Sequence, residues 1–131
     1  MRRQSREIAL QVLFQTEFAP QIRVADMAAL HGENFDNETI AYAEEIVTGV
    51  LQHQTEIDQK IQSASRHWKM ERMASVDRNI LKIGVYEMSF SAHPLKSNIV
   101  IDEAVEIAKK YGTTDSGSFV NGVLDQISRE N

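Results

Sequence analysis

The stretch RMASVDRNILKIGVYEMSF, Arg72 to Phe90, decides the fold class. On a helical wheel its Val76, Ile80, Leu81, Ile83, Val85 and Met88 spread around most of the circumference, and Ser75 stands where an N-cap is needed. A helix apolar on nearly every side has no face left for solvent, so it belongs at the centre of a helical assembly. Glu87 interrupts that pattern. A carboxylate on such a helix is expected to be a buried, partnered structural group.

Helical periodicity continues in both directions from this centre. Upstream, NFDNETIAYAEEIVTGVLQHQTEIDQKI carries Ile40, Ala43, Val47, Val50, Leu51, Ile57 and Ile61 at helical spacing. Asp36 is its expected N-cap, Phe35 and Ile40 form a hydrophobic staple, and the length predicts a break near His53. A first helix is predicted from Gln4 or Ser5 to Phe18. It shows two apolar faces, one of Ile8, Ala9, Val12 and Leu13, the other of Leu10, Phe14 and Phe18. A short helix over Val24 to Leu30 is expected to end near Gly32. Downstream, Val100, Ala104, Ile107, Ala108 and Tyr111 mark a helix that stops at Gly112, with Lys109 and Lys110 at its negative end. Pro20 and Pro94 mark connections. No strand-like alternation or internal repeat stands out. The expectation is a single all-α domain over residues 1–131. It should be a compact helical bundle of about seven helices in two packed subdomains, one up to about residue 65 and one from about residue 66.

The composition is that of a soluble globular protein, with 42% apolar and 25% charged residues. No apolar run approaches the roughly 18 residues that cross a bilayer. The first residues carry charge but no cleavage site of a secretory signal. Without cysteine there is no disulfide framework and no thiolate chemistry, so a cytoplasmic protein is expected. His31, His53, His67 and His93 lack zinc-site spacing, no phosphate-binding or nucleophile motif occurs, and Asp102 and Glu103 read as a solvated helix start. Neither an enzyme, a metal nor a cofactor is expected. The net charge of −5 conceals segregation. Nine acids face the single base Arg23 between Glu17 and Asp58, whereas Lys60 to Lys96 holds seven bases against three acids, and Arg2, Arg3 and Arg6 add a basic start. Because screening limits the reach of distant charges to about 8 Å, a local basic surface can hold phosphates on an acidic protein.

The last helical pattern, in YGTTDSGSFVNGVLDQI from Tyr111 to Ile127, sets Val120, Val123, Leu124 and Ile127 on one face, with a helix start at Asp115 or Ser116. Gly122 inside it costs roughly 1 kcal/mol relative to alanine. Close packing against another helix is the expected reason, and the approach of another molecule to the bare backbone is the alternative.

SVDRNILKIGVYEM, followed by IVIDEAVEIAKKYGTTDSGSFVNGVLDQI, closely resembles the NusB transcription antitermination factors, and SREIALQVLFQTEF resembles their first helix. Together these cover about two thirds of the chain. The resemblance implies a small all-helical domain that binds boxA, a single-stranded element of ribosomal RNA leader transcripts, together with the ribosomal protein NusE. That assembly helps RNA polymerase resist termination. A NusB-like domain also precedes the catalytic domain of certain ribosomal RNA cytosine methyltransferases; a chain ending at Asn131 is expected to be the binding protein instead. Arg2, Arg3 and Arg6 are candidate phosphate contacts. The resemblance adds the loop at Asp115 and the helix start bearing Ser118, Phe119 and Asn121 to the RNA surface, with Phe119 offering a ring to a base. It assigns Phe14 and Asp77 to the NusE side. The acidic total keeps a second reading open, a helical protein adaptor with weak or lost RNA binding, and the two-faced first helix also suits a homodimer.

Overall fold

Four helices surround the central helix, and its burial explains why. In α5 (Ser75–Val85), Ile80, Leu81, Ile83 and Val85 are all at most 4% exposed, although they point in different directions around the axis. The computed structural model describes residues 2–19, 22–30 and 35–130. Around α5 pack α1 (Arg2–Thr16), α4 (Gln54–Ala64), α6 (Ser97–Tyr111) and α7 (Ser116–Glu130), while α2 (Val24–Leu30) and α3 (Asn37–Gln52) close over α1. The described residues thus hold seven α-helices and no strand, as the all-α expectation required.

Local chemistry sets the start of α3 and its break from α4. Asp36 caps α3 by accepting a 2.8 Å hydrogen bond from the Thr39 amide, and Phe35 and Ile40 are both half-buried beside it. His53 separates α3 from α4 with φ −109° and ψ 21°, and its ring stacks on Phe90 at 4.9 Å. The expected break therefore lies where predicted. Pro94 stands in the connection between residues 91 and 96; the expectations for Pro20 and Gly32 lie outside the described residues.

Three details differ from the sequence reading. Helix α1 begins at Arg2, so the arginines sit on its first turns. Ser75 is the first residue of α5 and caps nothing: its hydroxyl donates to Glu17 Oε2 at 2.7 Å. Glu17 also receives Arg78 at 2.7 Å and the Asn79 amide at 2.8 Å, tying the end of α1 to the start of α5. Partial burial works to raise the Glu17 pKa, but these bonds outweigh it and hold the carboxyl below its ordinary value. Finally, α5 runs on through a π turn, Tyr86–Phe90, in which the Ser91 amide donates to the Tyr86 carbonyl at 2.9 Å. The wider turn carries Glu87 into the interior.

Candidate nucleic-acid interface

The three N-terminal arginines have three different environments. Arg2 is exposed, its guanidinium 4.3 Å from the centre of the Tyr42 ring. Arg3 is half-exposed and forks onto Glu103 of α6, with Nε to Oε1 at 3.0 Å and Nη2 to Oε2 at 2.8 Å. Arg6 is 4% exposed. Its Nε lies 2.8 and 3.0 Å from the two oxygens of Glu87, its Nη1 reaches Glu103 at 3.4 Å, and the Tyr42 hydroxyl donates to Glu87 from the other side.

Arg6 therefore corrects the expectation of a phosphate contact. A guanidinium sealed between helices and engaged by two carboxylates is an internal ion pair joining α1 to the π turn. Burial alone would disfavour its charge, but the Glu87 hydrogen bonds prevail and its pKa is raised. The same burial, with Glu87 adding to it, pushes the Tyr42 hydroxyl well up. Glu87, at 1% exposure, is the buried and partnered carboxylate its position implied. The basic start is thus narrower than RRQSRE suggests, with Arg2 and Arg3 at its surface. Alanine at both positions should flatten the salt dependence of single-strand binding by about 0.7 in log–log slope for each phosphate left without its cation. Titrations between low and physiological salt measure that slope. An unchanged value would remove both side chains from the interface.

The second cluster forms where α7 begins. Ser118 and Asn121 are exposed, and Phe119 is half-buried against the core. Ser118 Oγ donates to the Asp115 carbonyl at 3.3 Å. A Cβ added at Gly122 would meet nothing within 4 Å. Gly122 is accordingly not a helix-packing residue, contrary to expectation, and leaves a bare strip of backbone beside Asn121. Glycines that do pack include Gly84, where a Cβ would come within 2.9 Å of Leu124 Cδ1, and Gly49, where it would run into the Tyr86 ring.

The structure also brings together residues that the sequence reading kept apart. Asp77, on the first turn of α5, lines the same cleft as Asp115 and Phe119. Trp68 closes it, with its ring edge-on to Phe119 at 6.4 Å. Phe14 lies elsewhere, tilted against Phe18 at 5.6 Å near the end of α1, where Phe18 is 73% exposed. The second face of α1 is therefore incompletely covered. Trp68 was missed by sequence reasoning, although the signal was present: it is the sole tryptophan, set among Arg66, Lys69 and Arg72.

Comparisons with known proteins bear on this arrangement. The NusB family model matches residues 3–129. The transcription antitermination protein NusB of Bdellovibrio bacteriovorus is 63% identical over 128 residues, covering 98% of this chain and 95% of that one. T. maritima NusB superposes with a TM-score of 0.87 at 35% identity, covering 100% of this chain and 92% of the other. A chain from the crystal structure of the antitermination factors NusB and NusE in complex with dsRNA gives 0.81 at 28% identity, with 99% and 97% covered.

Proposed function

From the premise that this chain belongs to the NusB family, we propose that it is a transcription antitermination factor that binds boxA-type RNA of ribosomal RNA leader transcripts jointly with NusE. It acts by binding and performs no chemistry, within a cytoplasmic RNA polymerase complex resisting termination. Among the described residues no helix is long and apolar enough to cross a membrane. The observation that carries the RNA assignment is the start of α7, where Ser118, Asn121 and Gly122 stand uncovered next to the Phe119 ring. A strand laid there meets polar donors and acceptors, an aromatic face, and backbone with no side chain in the way. Arg2 and Arg3 supply charge from the start of α1. Phe14, with the exposed Phe18, offers NusE an apolar surface, and Asp77 an acidic one.

A second reading has its own support. Arg3 and Arg6 are both engaged by carboxylates, which reduces the charge available to phosphate and favours a protein adaptor. Titrating a labelled boxA-like strand and a scrambled one, with and without the cognate NusE, separates the two. Preference for the boxA-like strand in the joint titration is the expected result. Equal weak binding to both strands would instead favour the adaptor.

Phe119→Ala should lower RNA affinity about tenfold, equivalent to roughly 1.4 kcal/mol, in line with the loss of one stacked base. Its half-burial limits the accompanying loss in denaturant unfolding to less than about 2 kcal/mol. Phe119→Tyr keeps the ring face and should bind nearly normally. A folded alanine variant with full RNA affinity would reduce Phe119 to a packing residue.

A further inference from the structure

The two outward arginines of α1 are each held by a partner that leaves them able to take a second one. An arginine carries five N–H donors, and a carboxylate in the fork uses two of them. Glu103 of α6 occupies Arg3 Nε and one hydrogen of Nη2, so among the described residues the edge formed by Nη1 and the other Nη2 hydrogen stays open to a bidentate phosphate. The Arg3 side chain is 48% exposed against 25% for Glu103, so the carboxylate is the more deeply set of the two. Arg2 lies over the Tyr42 ring at 4.3 Å, and a ring face holds a guanidinium without setting a carboxylate against it. Both partners are themselves fixed by one buried pair. The Tyr42 hydroxyl donates to Glu87, and Arg6, bound to Glu87 through Nε, reaches Glu103 through Nη1 at 3.4 Å. A buried ion pair is a poor source of stability, since apolar residues of similar volume often serve as well or better. This one joins α1, α3, the π turn and α6 where Arg2 and Arg3 emerge.

We propose that Glu103 and Tyr42 are positioning residues for RNA: anchored on the Arg6–Glu87 pair, they hold Arg3 and Arg2 in the orientation that receives phosphates. The inference rests on the RNA-binding reading above and deepens it, adding two residues that act through the arginines. A mobile arginine loses rotamer freedom when a phosphate fixes it, and one already fixed loses less. Glu103 also works in the opposite direction. The hydrogen bond from Arg3 holds its carboxyl below the ordinary value, so it stays charged and repels a nearby phosphate. That repulsion acts across the guanidinium at a partly exposed site, where solvent and salt screen it, so the orienting effect decides the sign. Charge alone predicts tighter RNA binding once Glu103 is removed, and positioning predicts weaker.

Glu103→Ala should therefore lower the affinity of the full chain, with its cognate NusE, for the boxA-like strand by about two- to tenfold, the effect of leaving one long side chain to be ordered on binding. The salt dependence should keep its slope, because the number of phosphates contacted is unchanged. In an Arg3→Ala background the same substitution should change nothing, a coupling that a purely structural role of Glu103 would not show. Glu106→Ala removes an equal charge further along α6, from a carboxylate paired with Lys109 at 3.3 Å, and should not weaken binding. Glu103→Gln keeps the volume and one acceptor oxygen, so it should lose less than alanine and guards against a loss caused by misfolding; circular dichroism checks each variant. Tyr42→Leu should lose a factor similar to that of Glu103→Ala, again only while Arg2 is present, and Tyr42→Phe, which keeps the ring, should lose less. The proposal is overturned if folded Glu103→Ala binds as tightly as the parent chain or more tightly, the result of a carboxylate that merely competes with phosphate. A loss that persists undiminished without Arg3 would likewise overturn it, making Glu103 a direct contact or a structural residue. If the parent chain binds no RNA with or without NusE, the RNA-binding reading falls, and this inference with it.

Discussion

Arg6→Ala is expected to lower the free energy of unfolding by about 3–5 kcal/mol, the range found when one partner of a buried ion pair is removed. The magnitude follows from what remains. Glu87 is 1% exposed, and its two oxygens face Arg6 Nε from one side and the Tyr42 hydroxyl from the other. With the guanidinium gone, a carboxylate stays in the interior with one neutral donor in place of a cation. Glu103 gives up its 3.4 Å bond from Arg6 as well, but it is a quarter exposed and keeps Arg3, so its share is small. Replacing both members with apolar residues, as in Arg6→Met with Glu87→Leu, should recover much of the loss, because the desolvation cost disappears with the charges. Denaturant unfolding of the two single variants and the double variant measures the coupling. A loss below about 1 kcal/mol in Arg6→Ala would show that solvent reaches the pair.

This expectation changes how the N-terminal arginines should be probed. A variant that removes Arg6 together with Arg3 confounds folding with RNA affinity, since α1 is held to the π turn through Glu87. Only Arg2 and Arg3 can be altered to read phosphate contacts alone. The sequence could not separate the three. Periodicity assigns a residue to a helix face but does not identify a partner 81 positions away, and RRQSRE reads as one basic cluster until Glu87 and Glu103 are placed beside it. Half of that pairing was nonetheless legible, because a carboxylate on an all-apolar helix demands a partner. The helices, the Asp36 cap and the break at His53 were legible for a similar reason. Each depends on residues within one or two turns of one another. Ser75 escaped the same logic because its hydroxyl is recruited by Glu17, 58 positions earlier, and the π turn escaped because its residues have the composition of an ordinary α-helix. At the candidate interface the residues of α7 were read as one group and lie as one. Trp68 joins them only through the fold, which sets its ring edge-on to Phe119.

Gly49→Ala should destabilise the chain by about 2 kcal/mol, against the sign that helix propensity gives. Alanine in a helix interior is favoured over glycine by about 1 kcal/mol, and Gly49 lies well inside α3. The added methyl, however, would occupy space held by the Tyr86 ring, which is 4% exposed and stands where α5 passes into the π turn. A ring so enclosed has nowhere to swing. Inserting a methyl into a filled core costs typically about 1–3 kcal/mol, and overlap with a rigid aromatic belongs at or beyond the upper end, so the clash exceeds the propensity gain. Gly122→Ala supplies the control. It makes the same chemical change in α7, where the new Cβ meets nothing within 4 Å, so the propensity term stands unopposed and a gain of up to about 1 kcal/mol is expected. Opposite signs in denaturant unfolding are the predicted outcome. A Gly49→Ala protein as stable as its parent would mean that Tyr86 yields and that α3 does not need its glycine for packing. For Gly122 the decisive measurement is made in parallel with RNA. A variant that gains stability yet binds the boxA-like strand more weakly would assign the bare helix surface to ligand approach, since the structure offers the missing side chain no packing role.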